Sequence, residues 1–283
     1  MNPGSSRPIG VFDSGVGGLT VLRALKEQLP GESFIYLGDT ARVPYGSKPP
    51  ELIERFSHEI TTHLLQRQVK GIVVACNTAA AVCLPQLAAG SPVPVWGVIE
   101  PGVEAAAAAA GAGVVGVLGT RNTIASGAYQ EGLRQRGFDS WGRACPLFVP
   151  IVEEGIADSA IAEQVAAHYL QDRPELDVVI LGCTHYPVLR NTLQRVLGQG
   201  VKLVDSAQAT ARVVAADLEK LGLINGREAA GEVLHLVTGD IPGYIHAAGI
   251  IGAPAGEVHR VDLGNGRTPG SEDQVGYLEK QPT

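Results

Sequence analysis

The sequence predicts an α/β protein made of two pseudo-symmetric α/β lobes, each built on a central, mostly parallel sheet, with an active-site cleft between the lobes. Two observations support this prediction. Uninterrupted runs of branched apolar residues, such as 72–74 and 179–181, are typical of parallel strands that are buried on both faces. The pattern around the first run also recurs in the second half of the chain, which indicates an internal duplication.

The duplication is visible at two separate places. Residues 9–14 align with residues 115–120 at an offset of 106, and the run that ends at Cys76 aligns with the run that ends at Cys183 at an offset of 107. Nearly equal offsets at two places are typical of a repeated structural unit. We therefore expect each half of the chain to contain the same arrangement of strands and helices.

Taken in order, short apolar runs predict strands and segments of helical periodicity predict the helices between them. The predicted strands are residues 9–12, 34–37, 72–75, 92–99, 114–118, 179–181, 201–204 and 232–238. The predicted helices are residues 19–29, 51–68, a segment that begins at 79, then 104–110, 157–170, 188–197 and 209–221.

These elements predict how the chain divides into lobes. We expect residues 1–98 to form the first lobe, completed by a returning segment at 208–263 that carries the late strand 232–238. Residues 99–207 then form the second lobe. Residues 264–283 turn to Gly, Pro, Ser and charged residues, a composition that predicts a disordered tail.

Composition narrows the class of protein. The chain has 283 residues, of which 45% are hydrophobic and 18% charged, so there is ample material for a core. A net charge of −7 and the lack of a basic block argue against nucleic-acid binding. No apolar stretch reaches membrane-spanning length, and the N-terminus lacks the apolar segment of a signal peptide, so we expect a cytoplasmic protein without membrane contact. Its four cysteines are then expected to be thiols, and none has the Cys-x-x-Cys spacing of structural zinc sites.

The first strand is followed by a glycine-rich turn, Asp13-Ser14-Gly15-Val16-Gly17-Gly18. Such a turn suggests a dinucleotide site, but Thr20 stands where the third glycine of that motif belongs. We favour a tight turn that exposes Asp13 and Ser14 at the end of the strand.

The chemistry is predicted to centre on two thiols. Cys76 and Cys183 each follow a buried strand directly, at the edge of the sheet where α/β proteins bind ligands. Cys76 also precedes a helix, whose dipole and backbone N–H groups would lower the pKa of a thiol. Two thiols on opposite faces of a carbon acid can racemise it, because one removes a proton and the other returns a proton to the opposite face.

Other polar groups stand close to these thiols in the sequence or the predicted topology. Asp13, His185 and Glu153 are candidates to tune the thiols, since a carboxylate raises the pKa of a nearby thiol and an imidazolium lowers it. Which group serves which thiol stays open. Amides around Asn77-Thr78 and Thr184 are expected to bind a carboxylate and to stabilise developing negative charge.

Four motifs together resemble the cofactor-independent glutamate racemases of bacterial cell-wall synthesis. They are Asp13-Ser14-Gly15, Tyr45-Gly46, Val74-Ala75-Cys76-Asn77-Thr78 and Gly182-Cys183-Thr184-His185, and the likeness spans roughly residues 8–263. The resemblance implies that Cys76 and Cys183 donate and accept the proton, with Asp13, Glu153 and His185 as auxiliary groups. It also implies that Asp13-Ser14, Tyr45-Gly46, Asn77-Thr78 and Thr184-His185 contact the amino acid.

The resemblance implies no cofactor and no metal, a glutamate substrate and a product, D-glutamate, used in peptidoglycan synthesis. It allows a homodimer. A pyridoxal-dependent racemase would need a Schiff-base lysine, and none of the six lysines stands beside a site motif. We further expect the loop 42–46 to cover a dry cleft.

Two alternatives stay open at this stage. The first is a racemase of the same superfamily that acts on aspartate, in which a Glu tends to follow Cys-Thr; His185 at that position favours glutamate. The second is a non-catalytic amino-acid-binding module, against which the presence of both thiols argues.

Overall fold

Two β-sheets organise the chain in the computed structural model, which describes residues 4–227, 229–252, 257–263 and 275–277. The strands are β1 Ile9–Asp13, β2 Phe34–Gly38, β3 Gly71–Val74, β4 Val95–Gly97, β5 Val114–Gly119, β6 Ser140–Ala144, β7 Leu176–Gly182, β8 Lys202–Val204, β9 Val233–Val237, β10 Glu257–Arg260 and β11 Val275–Tyr277.

The strands alternate with helices over most of the chain, as in other α/β proteins. The helices are α1 Leu19–Gln28, α2 Pro50–Gln66, α3 Asn77–Gly90, α4 Ile99–Ala109, α5 Arg121–Ala125, α6 Ala128–Gln135, α7 Phe148–Glu153, α8 Ala160–Leu170, α9 Arg190–Leu197, α10 Ala207–Lys220 and α11 Ile241–Ile251.

The two sheets share one arrangement of four strands. Within the described residues the first sheet has the order β11-β10-β9-β2-β1-β3-β4, and the second has the order β6-β5-β7-β8. The segment β2-β1-β3-β4 therefore matches β6-β5-β7-β8 strand for strand, as the internal repeat predicts. All pairings are parallel except β10 with β11. The predicted α/β class with two mostly parallel sheets is confirmed.

The C-terminal part of the chain returns to the first sheet. Strand β9 pairs with β2, with Phe34 opposite Val233, and β10 pairs with β9. Helix α10 packs against α1. Most of the predicted disordered tail, 264–283, lies outside the described residues, but 275–277 within it form β11, which differs from that expectation.

The central strands β1, β3, β5 and β7 form because apolar side chains fill both of their faces. Every residue of β1 and of β3 is buried, as are the last five of each of β5 and β7. Parallel strands covered on both sides by helices have this pattern. The edge strand β6 was not predicted, because its residues are only half-buried and include Gly142 and Arg143. The predicted strand 92–99 corresponds to the shorter β4, Val95–Gly97, and its predicted last residue, Ile99, begins helix α4 instead.

No helix in the described part of the chain is both long and apolar enough to cross a membrane.

Candidate active site

A cavity of about 350 Å³ lies where the carboxyl ends of the two sheets face each other. Residues from both halves of the chain line it. Ten of the eleven predicted site residues are among them: Ser14, Tyr45, Gly46, Cys76, Asn77, Thr78, Glu153, Cys183, Thr184 and His185. The exception is Asp13, which is buried beside the cavity and does not line it.

Cys76 sits at the junction of β3 and α3, where it is the N-cap residue of the helix. Its thiol donates a hydrogen bond to Ser14 Oγ at 3.6 Å. We expected the start of the helix to lower the pKa of this thiol, and that expectation is wrong. Burial and then the nearby Asp13 carboxylate raise the pKa of Cys76 to about 12, although Ala79 and Ser14 oppose the rise because they can donate hydrogen bonds to the thiolate form. The desolvation of a buried thiolate outweighs the dipole of the helix.

Cys183 lies at the end of β7 in a different electrostatic setting. Its Sγ atom is 3.9 Å from Nδ1 of His185, and Nε2 of His185 is 3.0 Å from Oε1 of Glu153. Burial alone would lower the pKa of His185, but its contacts with Cys183 and Glu153 and the attraction of Asp13 raise the pKa to about 10. His185 is therefore held as an imidazolium beside the sulfur of Cys183 near neutral pH.

Asp13 ends β1 and has no exposed surface, so the prediction that the turn exposes it is wrong. Its carboxylate accepts hydrogen bonds from Gly15 N at 2.9 Å and from Thr184 Oγ1 at 3.4 Å. Burial raises the pKa of Asp13, and the charge of His185 opposes that rise. The carboxyl group lies within electrostatic reach of both catalytic candidates, Cys76 and His185.

The glycines of the first turn are explained by packing. A Cβ atom on Gly17 would lie 2.2 Å from Thr184 Oγ1, and one on Gly18 would lie 2.5 Å from Cβ of Asp13. Glycine at position 17 therefore lets the second half of the chain approach the turn, and glycine at position 18 lets the turn pack against Asp13. This close approach accounts for the glycine pattern without a nucleotide.

Asn77 and Thr78 begin helix α3, so their backbone N–H groups belong to the unpaired first turn of that helix. The hydroxyl of Thr78 is 2.8 Å from that of Thr120, which is in turn 2.9 Å from that of Thr123. Sequence analysis missed Thr120, which lines the cavity, and Thr123. The repeat offered a signal for Thr120, because it is aligned with Ser14.

The loop before α2 covers one side of the cavity with Val43, Pro44, Tyr45 and Gly46. The phenol of Tyr45 is buried and donates a hydrogen bond to Asp39. Burial and then Asp39 raise the pKa of this phenol, so the side chain stays protonated.

Two further groups, both missed by sequence analysis, hold this loop in place. Arg42 Nε donates to the two carboxylate oxygens of Asp39 at 2.9 and 2.8 Å. From the second half of the chain, Asn122 Nδ2 donates to the carbonyl oxygens of Tyr45 at 3.0 Å and Lys48 at 2.8 Å. The loop is thus tied to both halves of the molecule.

The site combines two thiols, many hydrogen-bond donors and a largely buried setting. Cys76, whose pKa is raised, holds its proton and can donate it, and the imidazolium of His185 places a positive charge beside the sulfur of Cys183. In the described residues, no group of three or more His, Cys, Asp or Glu side chains is arranged to hold a metal ion.

Comparison with known proteins gives consistent results. The family model described as Asp/Glu/Hydantoin racemase matches residues 9–214. A glutamate racemase from Thermus thermophilus is 54% identical over 90% of this chain and 96% of its own length.

Solved structures give the same result. A crystal structure of glutamate racemase from Thermus thermophilus in complex with β-chloro-D-alanine has a TM-score of 0.82 and 52% identity, covering 92% of this chain and 98% of that one. The Francisella tularensis glutamate racemase in complex with D-glutamate has a TM-score of 0.85 and 32% identity, covering 92% of this chain and 99% of that one.

Proposed function

This chain belongs to the glutamate racemases of the Asp/Glu/hydantoin racemase family, and we propose that it interconverts L- and D-glutamate by passing the α-proton between Cys76 and Cys183 without a cofactor. The observation that carries the proposal is that the two thiols line one cavity from the ends of equivalent strands, β3 and β7. A symmetric reaction needs one proton-transfer group on each face of the substrate, and the repeated fold supplies two.

In the proposed reaction, conversion in one direction begins with Cys76 as a thiol and with the His185 imidazolium beside the sulfur of Cys183. The thiolate of Cys183 takes the α-proton from one enantiomer, leaving a carbanion. Cys76 then gives its proton to the opposite face, which forms the other enantiomer and leaves Cys76 as the thiolate. The reverse reaction starts from that state, so charge and protons balance in both directions.

Stabilisation of the carbanion is assigned to the hydrogen-bond donors around the cavity. The first turn of α3, at Asn77 and Thr78, is suited to a substrate carboxylate, because backbone N–H groups and the helix dipole favour an anion there. Ser14 and Thr184 add hydroxyl groups from the first and second halves. Such preorganised donors are most effective where water is excluded.

Residues 42–46 are proposed to act as a lid over the bound amino acid. Support comes from the apolar surface that Val43 and Pro44 offer to the cavity and from the anchoring of Tyr45 by Asp39 and Asn122. A ligand complex in which Tyr45 lay far from the substrate and the thiols stayed open to solvent would rule out this role.

The function is tested by giving the purified protein each enantiomer of glutamate and of aspartate separately. We expect circular dichroism to decay to zero for both glutamate enantiomers, and the α-proton to exchange with deuterium in D₂O. Decay with aspartate and not with glutamate would support the alternative aspartate racemase. Binding of glutamate without exchange or decay would support a non-catalytic binding module.

The wider role is part of the same proposal. D-glutamate made by this protein would supply peptidoglycan synthesis in the cytoplasm, as the resemblance implies. A homodimer is also proposed, and light scattering on the purified protein measures its mass directly.

A further inference from the structure

One buried phenol reaches a predicted substrate-binding residue from the opposite half of the chain. Tyr129, on helix α6, donates a hydrogen bond from its hydroxyl to Oδ1 of Asn77 at 2.6 Å. Tyr129 has no exposed surface and does not line the cavity, whereas Asn77 does. Tyr129 therefore contacts Asn77 on the side that faces away from the cavity and does not itself line the cavity.

The direction of this hydrogen bond determines how the amide of Asn77 is presented. The phenol of Tyr129 is the donor and the amide oxygen of Asn77 is the acceptor. A phenol that donates must face the amide oxygen, because the amide nitrogen carries only donors. The Nδ2 amino group of Asn77, which makes no hydrogen bond within the described residues, is then available to the cavity.

The phenol is also fixed in position and in protonation state. A Cβ atom on Gly102 would lie 3.1 Å from Cε1 of the Tyr129 ring, and a Cβ atom on Gly182 would lie 3.1 Å from Cε2. The ring is thus packed between α4 and the end of β7. Burial raises the pKa of Tyr129 above its ordinary value, so the hydroxyl keeps its proton throughout the neutral range.

We propose that Tyr129 is a positioning residue that locks the Asn77 amide with its NH₂ group toward the cavity, where it donates to a carboxylate of the substrate. This inference rests on the proposed glutamate racemase function. Without Tyr129 the amide could turn, placing its oxygen toward the substrate carboxylate, where two acceptors repel each other.

The first test is Tyr129→Phe, which keeps the ring and removes only the hydroxyl. We expect KM for both glutamate enantiomers to rise about 3- to 10-fold, the range typical of one lost neutral hydrogen bond, while kcat changes less than 2-fold. Tyr244→Phe is the matched control, because that buried phenol also makes one side-chain hydrogen bond, to His235 Nδ1 at 2.8 Å, away from the cavity lining. We expect Tyr244→Phe to leave KM unchanged. Equal effects of the two variants on KM would overturn the inference.

The second test asks whether Tyr129 acts through Asn77. The dissociation constant of D-glutamate is measured by calorimetry for the parent, Tyr129→Phe, Asn77→Ser and the double variant. We expect Tyr129→Phe to weaken binding in the parent and to change it by less than 1.5-fold in the Asn77→Ser background. The same loss in both backgrounds would contradict the inference.

The third test measures the orientation of the Asn77 amide by NMR in the absence of substrate. The side-chain amide resonances of Asn77, assigned by their absence in Asn77→Ser, should shift in Tyr129→Phe and not in Tyr244→Phe. Unchanged resonances would overturn the inference even if binding were too weak to measure. A parent protein that neither binds nor racemises glutamate would instead defeat the proposed function.

Discussion

The two thiols occupy equivalent positions in the repeated fold, but the charged groups around them differ. Cys76 and Cys183 each lie just after a central strand, β3 and β7, that pairs with the first strand of its repeat. Around Cys76 the charged neighbour is a buried carboxylate, Asp13, whereas Cys183 has the imidazole of His185 at 3.9 Å. The fold repeats, but the electrostatic environment does not.

This difference indicates that the two thiols meet opposite charges. A carboxylate in a buried site disfavours a thiolate, and an imidazolium favours one. Asp13 therefore helps to keep the proton on Cys76, whereas His185 places a positive charge beside the sulfur of Cys183. Two enantiomers have equal free energy, so kcat/KM for racemisation must be the same in both directions. The difference between the two thiol sites is therefore visible only in measurements that follow proton abstraction by one thiol at a time.

The largest effect is expected when one thiol is removed. Cys76→Ser or Cys183→Ser should lower racemisation by roughly three orders of magnitude in both directions, since each turnover uses both faces. An analogue with a leaving group on the β-carbon isolates one face, because elimination needs proton abstraction and no reprotonation. We expect each variant to eliminate from one enantiomer only, with opposite preference in the two variants.

Cys83→Ser is the matched control for these variants. Cys83 is also buried on α3, and its thiol donates to Ala79 O, but it does not line the cavity. Racemisation should stay within about 3-fold of the parent. If Cys76→Ser and Cys183→Ser eliminated from the same enantiomer, the proposal that each thiol abstracts the proton from a different enantiomer would be wrong.

The next largest effect is expected at His185. His185→Asn removes the imidazolium beside Cys183 and should slow elimination on the face served by Cys183 by about 100-fold. Elimination on the face served by Cys76 should fall less than 10-fold, because His185 contacts the other sulfur. The measurement is the elimination rate for each enantiomer of the analogue. Equal losses on both faces would show that the two sites are not electrostatically distinct.

A smaller effect, with a defined pH dependence, is expected at Asp13. Alkylation by iodoacetamide proceeds through the thiolate, so its rate at Cys76 should keep rising with pH toward the pKa of about 12. Asp13→Asn removes a negative charge and should lower that pKa by about 1 unit, which speeds alkylation at pH 8 about 10-fold. The rate is followed by mass spectrometry of the peptide that contains Cys76. A slower rate in Asp13→Asn would contradict the assigned role of this carboxylate.

The smallest effect is expected at Glu153, whose side chain is partly exposed and acts on Cys183 only through His185. Glu153→Gln should reduce elimination on the face served by Cys183 about 3- to 10-fold. Glu154→Gln is a matched control, since the adjacent Glu154 is exposed and does not line the cavity. Equal effects of the two substitutions would show that Glu153 does not act on Cys183 through His185.

Much of the architecture could be predicted from local sequence. Runs such as 9–12 and 72–74 indicate strands buried on both faces, and the constant offset between the halves indicates the repeat. The sequence signal was weaker for β6, since an edge strand is only half covered and its residues need not be apolar. The sequence signal was also too weak to predict the short helix α5, although that helix carries Asn122, which donates a hydrogen bond to the carbonyl oxygen of Tyr45.

The order of residues along the chain is enough to show which residue types stand at the ends of the central strands, because that order is a local property. It therefore placed both thiols, Asn77-Thr78 and Thr184-His185 at one edge of the fold. The charge that each thiol meets depends on the folded arrangement of distant segments. Asp13 is 171 residues from Thr184 in the chain and Glu153 is 32 from His185, yet each pair is in contact. A pKa depends on burial and on charges acting through space, and neither can be read from neighbours in the sequence.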